Sequence, residues 1–170
     1  MDISDLTTHD IPFVPDVVWA SPDCTSYSVA GIGHHRVNSI LPKTDYAVEC
    51  DTTNQHVLSL ISEWKRMNDK LVFFIENPRG AMRKMPWMQL MNRYTVWYCQ
   101  YGDMRAKPTD IWTNSKTWVP RPECWNGNKD CHHQPAPRGS RTGTQGLKSA
   151  YDKSKIPEQF CDSIIESLFK

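Results

Sequence analysis

Short apolar runs alternate with longer helical patterns along the chain. The runs are rich in β-branched and aromatic residues and stop at Pro or polar residues, which predicts strands over 16–20, 71–75, 94–99 and 110–113. Apolar residues at helical spacing predict helices over 44–67, 81–91 and 157–169, the last with a Pro near its start. The order strand, helix, strand predicts a βαβ unit with parallel strands, and therefore an α/β fold.

Two of the predicted strands lead directly into reactive side chains. The first is followed by Ser21-Pro22-Asp23-Cys24, and the second runs into Glu76-Asn77-Pro78. Ligands bind outside the carboxyl ends of the strands in open α/β sheets. The thiol of Cys24 and the carboxylate of Glu76 are therefore expected to share a pocket.

Composition narrows the class of protein. The chain has 170 residues, enough for one domain with its own core, and a formal net charge of +1, which gives no global signature of polyanion binding. No apolar stretch approaches the roughly 20 residues that cross a bilayer, and the amino terminus lacks the features of a signal peptide. These patterns predict a cytoplasmic protein without membrane contact, whose six cysteines are reduced thiols.

Four motifs in order resemble those of the cytosine-5 DNA methyltransferases, most closely the compact phage-type members. The resemblance runs from Asp2 to the terminal helix. Ser21-Pro22-Asp23-Cys24 resembles the Pro-Pro-Cys nucleophile motif, and Glu76-Asn77-Pro78 resembles the Glu-Asn-Val motif. The stretch from Gln100 through Arg105 and Lys107 resembles the basic motif before a late strand, and Ser154-Lys155-Ile156-Pro157 resembles the closing motif beside the cofactor. The resemblance implies a partial Rossmann-like methyltransferase sheet with flanking helices.

The resemblance also implies a chemistry. Cys24 would add to carbon 6 of a flipped cytosine, which makes carbon 5 able to take a methyl group from S-adenosylmethionine, and Glu76 would act as the acid at N3. Arg105 and Lys107 would complete the catalytic set by contacting phosphate or base. The implied substrate-binding residues are Ser21, Pro22, Asn77, Pro78 and Gln100, and the implied cofactor-binding residues are Asp2, Ile3, Ser154 and Ile156. DNA is the implied partner, and the host cytoplasm is the implied location if the chain is phage-encoded.

The chain departs from the family pattern at several points. Asp23 replaces the second Pro of the nucleophile motif, so a carboxylate next to Cys24 opposes thiolate formation unless it is paired or points away. Thr109 stands where the family tends to have a second Arg. The Gly-rich cofactor turn is not found before Ser21, so the sheet is expected to lack its first strands. The chain would then be completed by a second polypeptide or a second copy, bind its cofactor weakly, or be a noncatalytic remnant that binds DNA or a protein partner.

A second methyltransferase class is a weaker interpretation. Ser21-Pro22-Asp23-Cys24 can be compared with the Asp-Pro-Pro-Tyr motif of amino-group methyltransferases. Tyr27 lies too far along the chain to stack as that motif requires, and this chemistry has no use for Cys24 or Glu76.

Residues 118–146 have few aliphatic side chains and many Pro, Gly, Asn, Arg and Ser residues. They predict a loop-rich insertion in a catalytic domain made of 1–117 and 147–170, at the position of the family's target-recognition region. The soft donors Cys124, Cys131, His132 and His133 suit zinc, with Cys99 as a more distant donor. The alternative is a metal-free loop that contacts DNA phosphates through Arg121, Lys129, Arg138 and Arg141.

Overall fold

The computed structural model describes residues 2–136, 147 and 149–170, so Arg138 and Arg141 lie outside the described residues. Strands in these ranges are β1 (Val17–Ala20), β2 (Arg36–Val37), β3 (Leu41–Pro42), β4 (Val72–Pro78), β5 (Arg93–Trp97) and β6 (Pro108–Thr113). The α-helices are α1 (Ile32–His35), α2 (Asp45–Met67), α3 (Ala150–Ser154) and α4 (Glu158–Leu168). Single turns of 3₁₀-helix span Ile3–Asp5, Ala81–Lys84, Pro86–Met88 and Tyr98–Tyr101.

Within the described ranges, four strands form one sheet in the order β1-β4-β6-β5. β1 and β4 are parallel, with Val17 opposite Val72 and Ala20 opposite Ile75. β5 and β6 are antiparallel, because Thr95 bonds to Asp110 while Tyr98, further along the chain, bonds to Lys107. This mixed sheet with helices confirms an α/β class, while the methyltransferase-type sheet stays a prediction.

Helix α2 connects the two parallel strands and confirms the predicted helix over 44–67. Thr44 caps its start by accepting a hydrogen bond from the Ala47 amide at 3.2 Å. Its buried residues, including Ala47, Cys50, Ile61 and Trp64, recur at helical spacing. The helix therefore packs one apolar face against the rest of the βαβ unit.

The chain divides into two compact units. The first comprises Met1–Arg93 and Ile111–Ser115, and the second comprises Tyr94–Asp110 and Lys116–Lys170. The core of the first unit includes Tyr27, Ile75, Met82, Met85 and Trp112. In the second unit, Phe160 of α4 packs its ring against those of Tyr98, Tyr101 and Trp118.

The predicted helix over 81–91 is wrong in type, because the structure has two 3₁₀ turns there. Pro86 has no amide hydrogen and disfavours the α conformation at the residue before it. Met85 is accordingly extended, at φ −66° and ψ 134°. Helix α3 and the small hairpin of β2 and β3 were not predicted. In the described part of the chain, no helix has the length and apolar character to cross a membrane.

Candidate active site and candidate metal centre

The predicted nucleophile and acid segments lie at the same edge of the sheet. Ala20 ends β1 opposite Ile75 in parallel register, so the residues that follow β1 lie beside Glu76, Asn77 and Pro78, the last three residues of β4. The Asn77 side chain donates from Nδ2 to the carbonyl oxygen of Pro22 at 3.0 Å. The backbone pairing and this bond together bring the Cys24 and Glu76 segments to one place in the first unit.

Polar groups at this edge are buried to an unusual degree. Glu76 is 6 % exposed, Asn77 is fully buried, and Cys24 is half-buried. The Oδ1 atom of Asn77 is also buried and has no hydrogen-bond partner among the described residues. A buried acceptor without a partner is costly in free energy, and such groups mark places where a ligand or water donates.

Asp23, the residue before Cys24, has hydrogen-bond partners. Its Oδ1 accepts a hydrogen bond from the Thr25 amide at 2.6 Å. The Tyr46 hydroxyl forms hydrogen bonds with Asp23 and Thr25. Burial and the bond to Asp23 raise the pKa of Tyr46 to about 12, while the bond to Thr25 acts to lower it. The Asp23 carboxylate therefore has one partner in the turn that carries Cys24, the Thr25 amide, and a second in helix α2, the Tyr46 hydroxyl.

A buried polar network fixes the turn after Cys24. Arg36 donates to both carboxylate oxygens of Asp51, at 2.6 and 3.1 Å. It also donates to the carbonyl oxygen and the hydroxyl of Ser26, at 2.9 and 3.0 Å. The Tyr27 hydroxyl donates to Asp51 at 2.6 Å and accepts from Asn54 at 2.7 Å. Burial and the bond to Asp51 raise the pKa of Tyr27 well above its ordinary value.

Gly80 holds the same turn from the other side. The Ala81 amide donates to the Tyr27 carbonyl oxygen at 2.7 Å. A Cβ atom on Gly80 would lie 2.4 Å from that oxygen, so this close approach requires glycine. The network residues and Gly80 were missed by sequence reasoning, because an isolated Arg, Asp or Gly carries no local signal of a contact made across the fold.

The other predicted residues of this unit have local partners. Ser21 accepts a hydrogen bond from the Trp19 indole at 2.8 Å, and Pro78 is the last residue of β4. Asp2 is exposed and accepts from the Ser4 amide at 2.9 Å and the Ser4 hydroxyl at 2.7 Å, both at Oδ1. These bonds hold the pKa of the Asp2 carboxyl below its usual value. Ile3 begins the adjoining 3₁₀ turn and is 41 % exposed.

In the second unit, Arg105 and Lys107 are buried cations with protein partners. Arg105 pairs with Asp103 and donates to the backbone oxygens of Asp152 and Lys155, at 2.7 and 3.0 Å. Lys107 donates to the backbone oxygen of Lys153 at 2.9 Å. Both are less than 8 % exposed and hold the end of α3, while their predicted contact with phosphate or base stays a prediction.

Ser154 and Ile156, which the resemblance assigns to the cofactor, are the chain neighbours of Lys155, whose backbone oxygen Arg105 contacts. Ser154 ends α3 and donates to the Tyr151 carbonyl at 2.8 Å, and Ile156 is half-buried. Beside Arg105 lies a cavity of about 310 Å³, lined in part by Asp103, Gln134, Leu147 and Asp152.

A cluster of sulfur and nitrogen donors lies elsewhere in the second unit. The ligand atoms of Cys99, Cys124, Cys131 and His133 are all within 4.8 Å of one another. This corrects the predicted set of Cys124, Cys131, His132 and His133, since Cys99 takes the place of His132. The exposed ring of His132 instead bonds through Nε2 to the Asp103 carbonyl at 3.1 Å.

The environment of the donors differs from one to the next. Burial, followed by the neighbouring Cys124, raises the pKa of the Cys99 thiol. Burial also acts to raise the pKa of the Cys124 thiol. Hydrogen bonds to this thiol, the largest effect among them being that of Asn128, outweigh burial, so the pKa of Cys124 is lowered. Burial lowers the pKa of His133. Gln100, assigned to cytosine binding by resemblance, lies at this cluster, with Nε2 3.9 Å from the Cys131 sulfur.

Comparison with known proteins gives no relative: no protein-family model, no curated protein and no solved structure matches the chain. The geometry of the sheet edge and of the donor cluster therefore carries the functional interpretation.

Proposed function

We propose that the chain is a DNA cytosine-5 methyltransferase-like protein that acts through Cys24 and Glu76. The observation that carries the proposal is the parallel register of β1 and β4, with the bond from Asn77 to Pro22, which places a thiol segment and a carboxylate segment at one sheet edge. The resemblance of the motifs assigns each segment its role. DNA is the proposed partner, while completion by a second chain or a second copy stays a prediction.

In the proposed reaction the Cys24 thiolate forms a bond to carbon 6 of the cytosine ring. The electron pair of the 5,6 double bond moves toward N3, where Glu76 provides a proton, and carbon 5 becomes enamine-like. After methyl transfer, a water molecule takes the proton from carbon 5, the Cys24 thiolate is eliminated, and the proton at N3 returns to the Glu76 carboxylate, which restores the neutral aromatic ring. The target base must leave the duplex to reach these groups.

The buried Oδ1 of Asn77 fits a role in base binding. Cytosine carries an exocyclic amino group, which is a hydrogen-bond donor, and Oδ1 is an acceptor that the described residues leave unpaired. Because Asn77 is fully buried, a flipped cytosine would supply this donor only after the residues that cover Oδ1 move aside.

S-adenosylmethionine supplies an electrophilic methyl group when bound. Asp2 fits a role in binding it, because both bonds from Ser4 go to Oδ1 and the exposed carboxylate retains Oδ2 as an acceptor. Ile3, Ser154 and Ile156 are assigned to the cofactor by resemblance. Arg105 is a positioning residue in this proposal, since it holds the backbone of Lys155 next to Ser154 and Ile156.

The test is covalent trapping on duplex DNA that contains 5-fluorocytosine within randomised flanking sequence, with S-adenosylmethionine present. Fluorine at carbon 5 blocks the final elimination, so an active chain stays attached to the DNA on a denaturing gel. We expect a shifted band from the native chain and its complete loss in Cys24→Ala. Glu76→Gln should lower trapping at least tenfold, since general acid catalysis contributes about 10²–10⁴-fold.

The matched control is Cys161→Ser, which removes an exposed thiol and should trap like the native chain. Trapping that survives Cys24→Ala would contradict the proposal. A folded chain that binds the DNA and the cofactor but never traps would favour the noncatalytic alternative.

A further inference from the structure

The donor cluster of the second unit has no part in the proposed methyl transfer. We infer that Cys99, Cys124, Cys131 and His133 bind one structural zinc ion. The inference rests on the four side chains themselves, whose ligand atoms converge within 4.8 Å from two separate stretches of chain. Cys99 belongs to the 3₁₀ turn Tyr98–Tyr101, and the other three follow within 124–133.

The spacing suits a tetrahedral ion. Zinc–sulfur bonds of about 2.3 Å place two sulfurs of a tetrahedral site roughly 3.8 Å apart. The Cys124 sulfur and Nδ1 of His133 are 3.9 Å apart. Closing the widest separation, at most 4.8 Å, requires a movement of about 1 Å, which side-chain rotation can supply.

The donor set selects the metal and its role. Three thiols and an imidazole are soft or borderline ligands, which favour zinc over magnesium or calcium. Four protein donors fill a tetrahedral shell and leave no open position for substrate, which is the pattern of a structural site. Cys99, Cys124 and His133 are each less than 5 % exposed, so the ion would be shielded from water.

Donor groups around the sulfurs support thiolates. Asn128 donates from Nδ2 to the Cys124 sulfur at 3.6 Å, and Gln100 approaches the Cys131 sulfur from Nε2 at 3.9 Å. Hydrogen bonds of this kind orient metal ligands and tune their basicity.

His133 changes tautomer when it binds metal through Nδ1. Its Nε2 accepts a hydrogen bond from the Gly127 amide at 3.2 Å, so in this arrangement the ring proton is on Nδ1. Coordination through Nδ1 moves the proton to Nε2 and breaks the bond to Gly127. The Gly127 amide and the His133 ring nitrogens are therefore direct spectroscopic reporters of zinc binding.

The ion would supply the core that this part of the chain lacks. The buried cluster around it consists of Cys99, Ala106 and Cys124, so two of its three members are the ligands themselves. Directly after His133, the Gln134 amide donates to the Met104 carbonyl at 2.9 Å, and Gln134 forms a parallel bridge with Arg105. Zinc would therefore link the turn at Cys99 to the stretch that carries Arg105.

The first test is the metal content of the full chain, purified without chelator, by mass spectrometry. We expect one zinc per chain, and on replacement by cobalt the absorption of tetrahedral thiolate-bound Co²⁺. Nitrogen-15 NMR should show the His133 tautomer shift between the chelated and reloaded states. None of these readouts depends on DNA or on methyl transfer, so they can fail or succeed independently of the proposed function.

Variants identify the ligands. Cys99→Ser and His133→Ala should weaken zinc binding by more than the roughly 10- to 100-fold that loss of an outer-shell partner causes. The matched controls His132→Ala and Cys161→Ser should retain one zinc. A folded native chain without zinc, a disulfide within the cluster of the freshly purified chain, or equal zinc loss in His132→Ala and His133→Ala would overturn the inference.

Discussion

At the scale of single residues, Arg36 is the clearest case of a side chain that organises its surroundings. Its side chain is fully buried, and its guanidinium lies 4.2 Å from the centre of the Tyr27 ring. The two carboxylate oxygens of Asp51 match its paired donors, a geometry that lysine cannot reproduce. The turn after Cys24 therefore depends on Arg36, whose hydrogen bonds go to other residues than Cys24 and Glu76.

Replacement of Arg36 by Met should destabilise the chain by about 3–5 kcal/mol, because it leaves the Asp51 carboxylate buried without its cation. Arg36→Lys should fall between Met and the native residue. Urea unfolding followed by tryptophan fluorescence measures the change. The double variant Arg36→Met with Asp51→Leu should recover part of the loss, since neither charge then remains buried.

The matched control for the Arg36 variants is Asp152→Asn. It breaks an ion pair at the surface, in which the Lys155 side chain is 54 % exposed. Solvent screens such pairs, so the unfolding midpoint should hardly move. Equal losses for the buried and the exposed pair would contradict the importance assigned to the network.

Gly80 provides a second prediction at this scale. Gly80→Ala should destabilise the chain by about 1–3 kcal/mol, as overpacking does, because the added Cβ meets the Tyr27 backbone oxygen at 2.4 Å. Trapping by Cys24 should fall as well, since the turn that carries it must shift. Gly33→Ala is the control: its Cβ meets nothing within 4 Å, so neither stability nor trapping should decrease.

At the scale of elements, helix α3 is held at its carboxyl end. The last carbonyl groups of a helix lack intrahelical partners, and cations near them are favourable. Arg105 and Lys107 fill this role by donating to backbone oxygens of Asp152, Lys153 and Lys155. Asp103 in turn fixes the guanidinium of Arg105.

The Asp103–Arg105 pair predicts a dependence of stability on acid. Burial acts to raise the pKa of the Asp103 carboxyl, but the hydrogen bonds and charge of Arg105 outweigh it and hold the pKa below its ordinary value of 3.8. Below 3.8 the unfolded chain binds a proton before the folded chain does, so stability rises with pH in this window. The contribution is complete above about pH 5 and is lost as the pH falls through the folded pKa.

Comparison with Asp103→Asn isolates this contribution. The native chain should be the more stable above pH 5, and the difference should shrink steadily as the pH falls below 3.8. Urea unfolding of both proteins between pH 6 and pH 2.5 measures it. Parallel stability curves for the two proteins would contradict the assignment, because they share every other titrating group.

The long elements could be predicted from the sequence because their signals are local. Helix α2 has a capping Thr44 and an apolar face at regular spacing, β1 is a continuous apolar run, and β4 is one from Val72 to Ile75, although the strand extends past its predicted end to Pro78. The hairpin of β2 and β3 gave no such signal, since its strands have two residues each and its turn uses Asn38 and Ser39 at positive φ. Elements this short are determined by contacts that only the folded chain makes.

At the scale of the whole molecule, each compact unit has its own buried core and its own candidate site. The meeting of the Cys24 and Glu76 segments was predictable, because adjacency of parallel strands follows from a βαβ unit. For the donor cluster, the sequence offered Cys99 only as a more distant donor and could not choose it over His132, because the whole of β6 separates Cys99 from Cys124, its nearest partner in sequence. Pairings at such distances follow from the tertiary fold rather than from motif spacing.

The interlocking of Tyr27, Arg36, Asp51 and Gly80 has a consequence for evolution. A change at any one member removes a buried contact of the others and lowers stability, so we expect these positions to be inherited together or replaced together. Their spacing then forms a signature that outlasts general sequence identity. Distant relatives of this chain should be recognisable by that pattern around a Cys-bearing turn, even where the rest of the sequence has diverged beyond alignment.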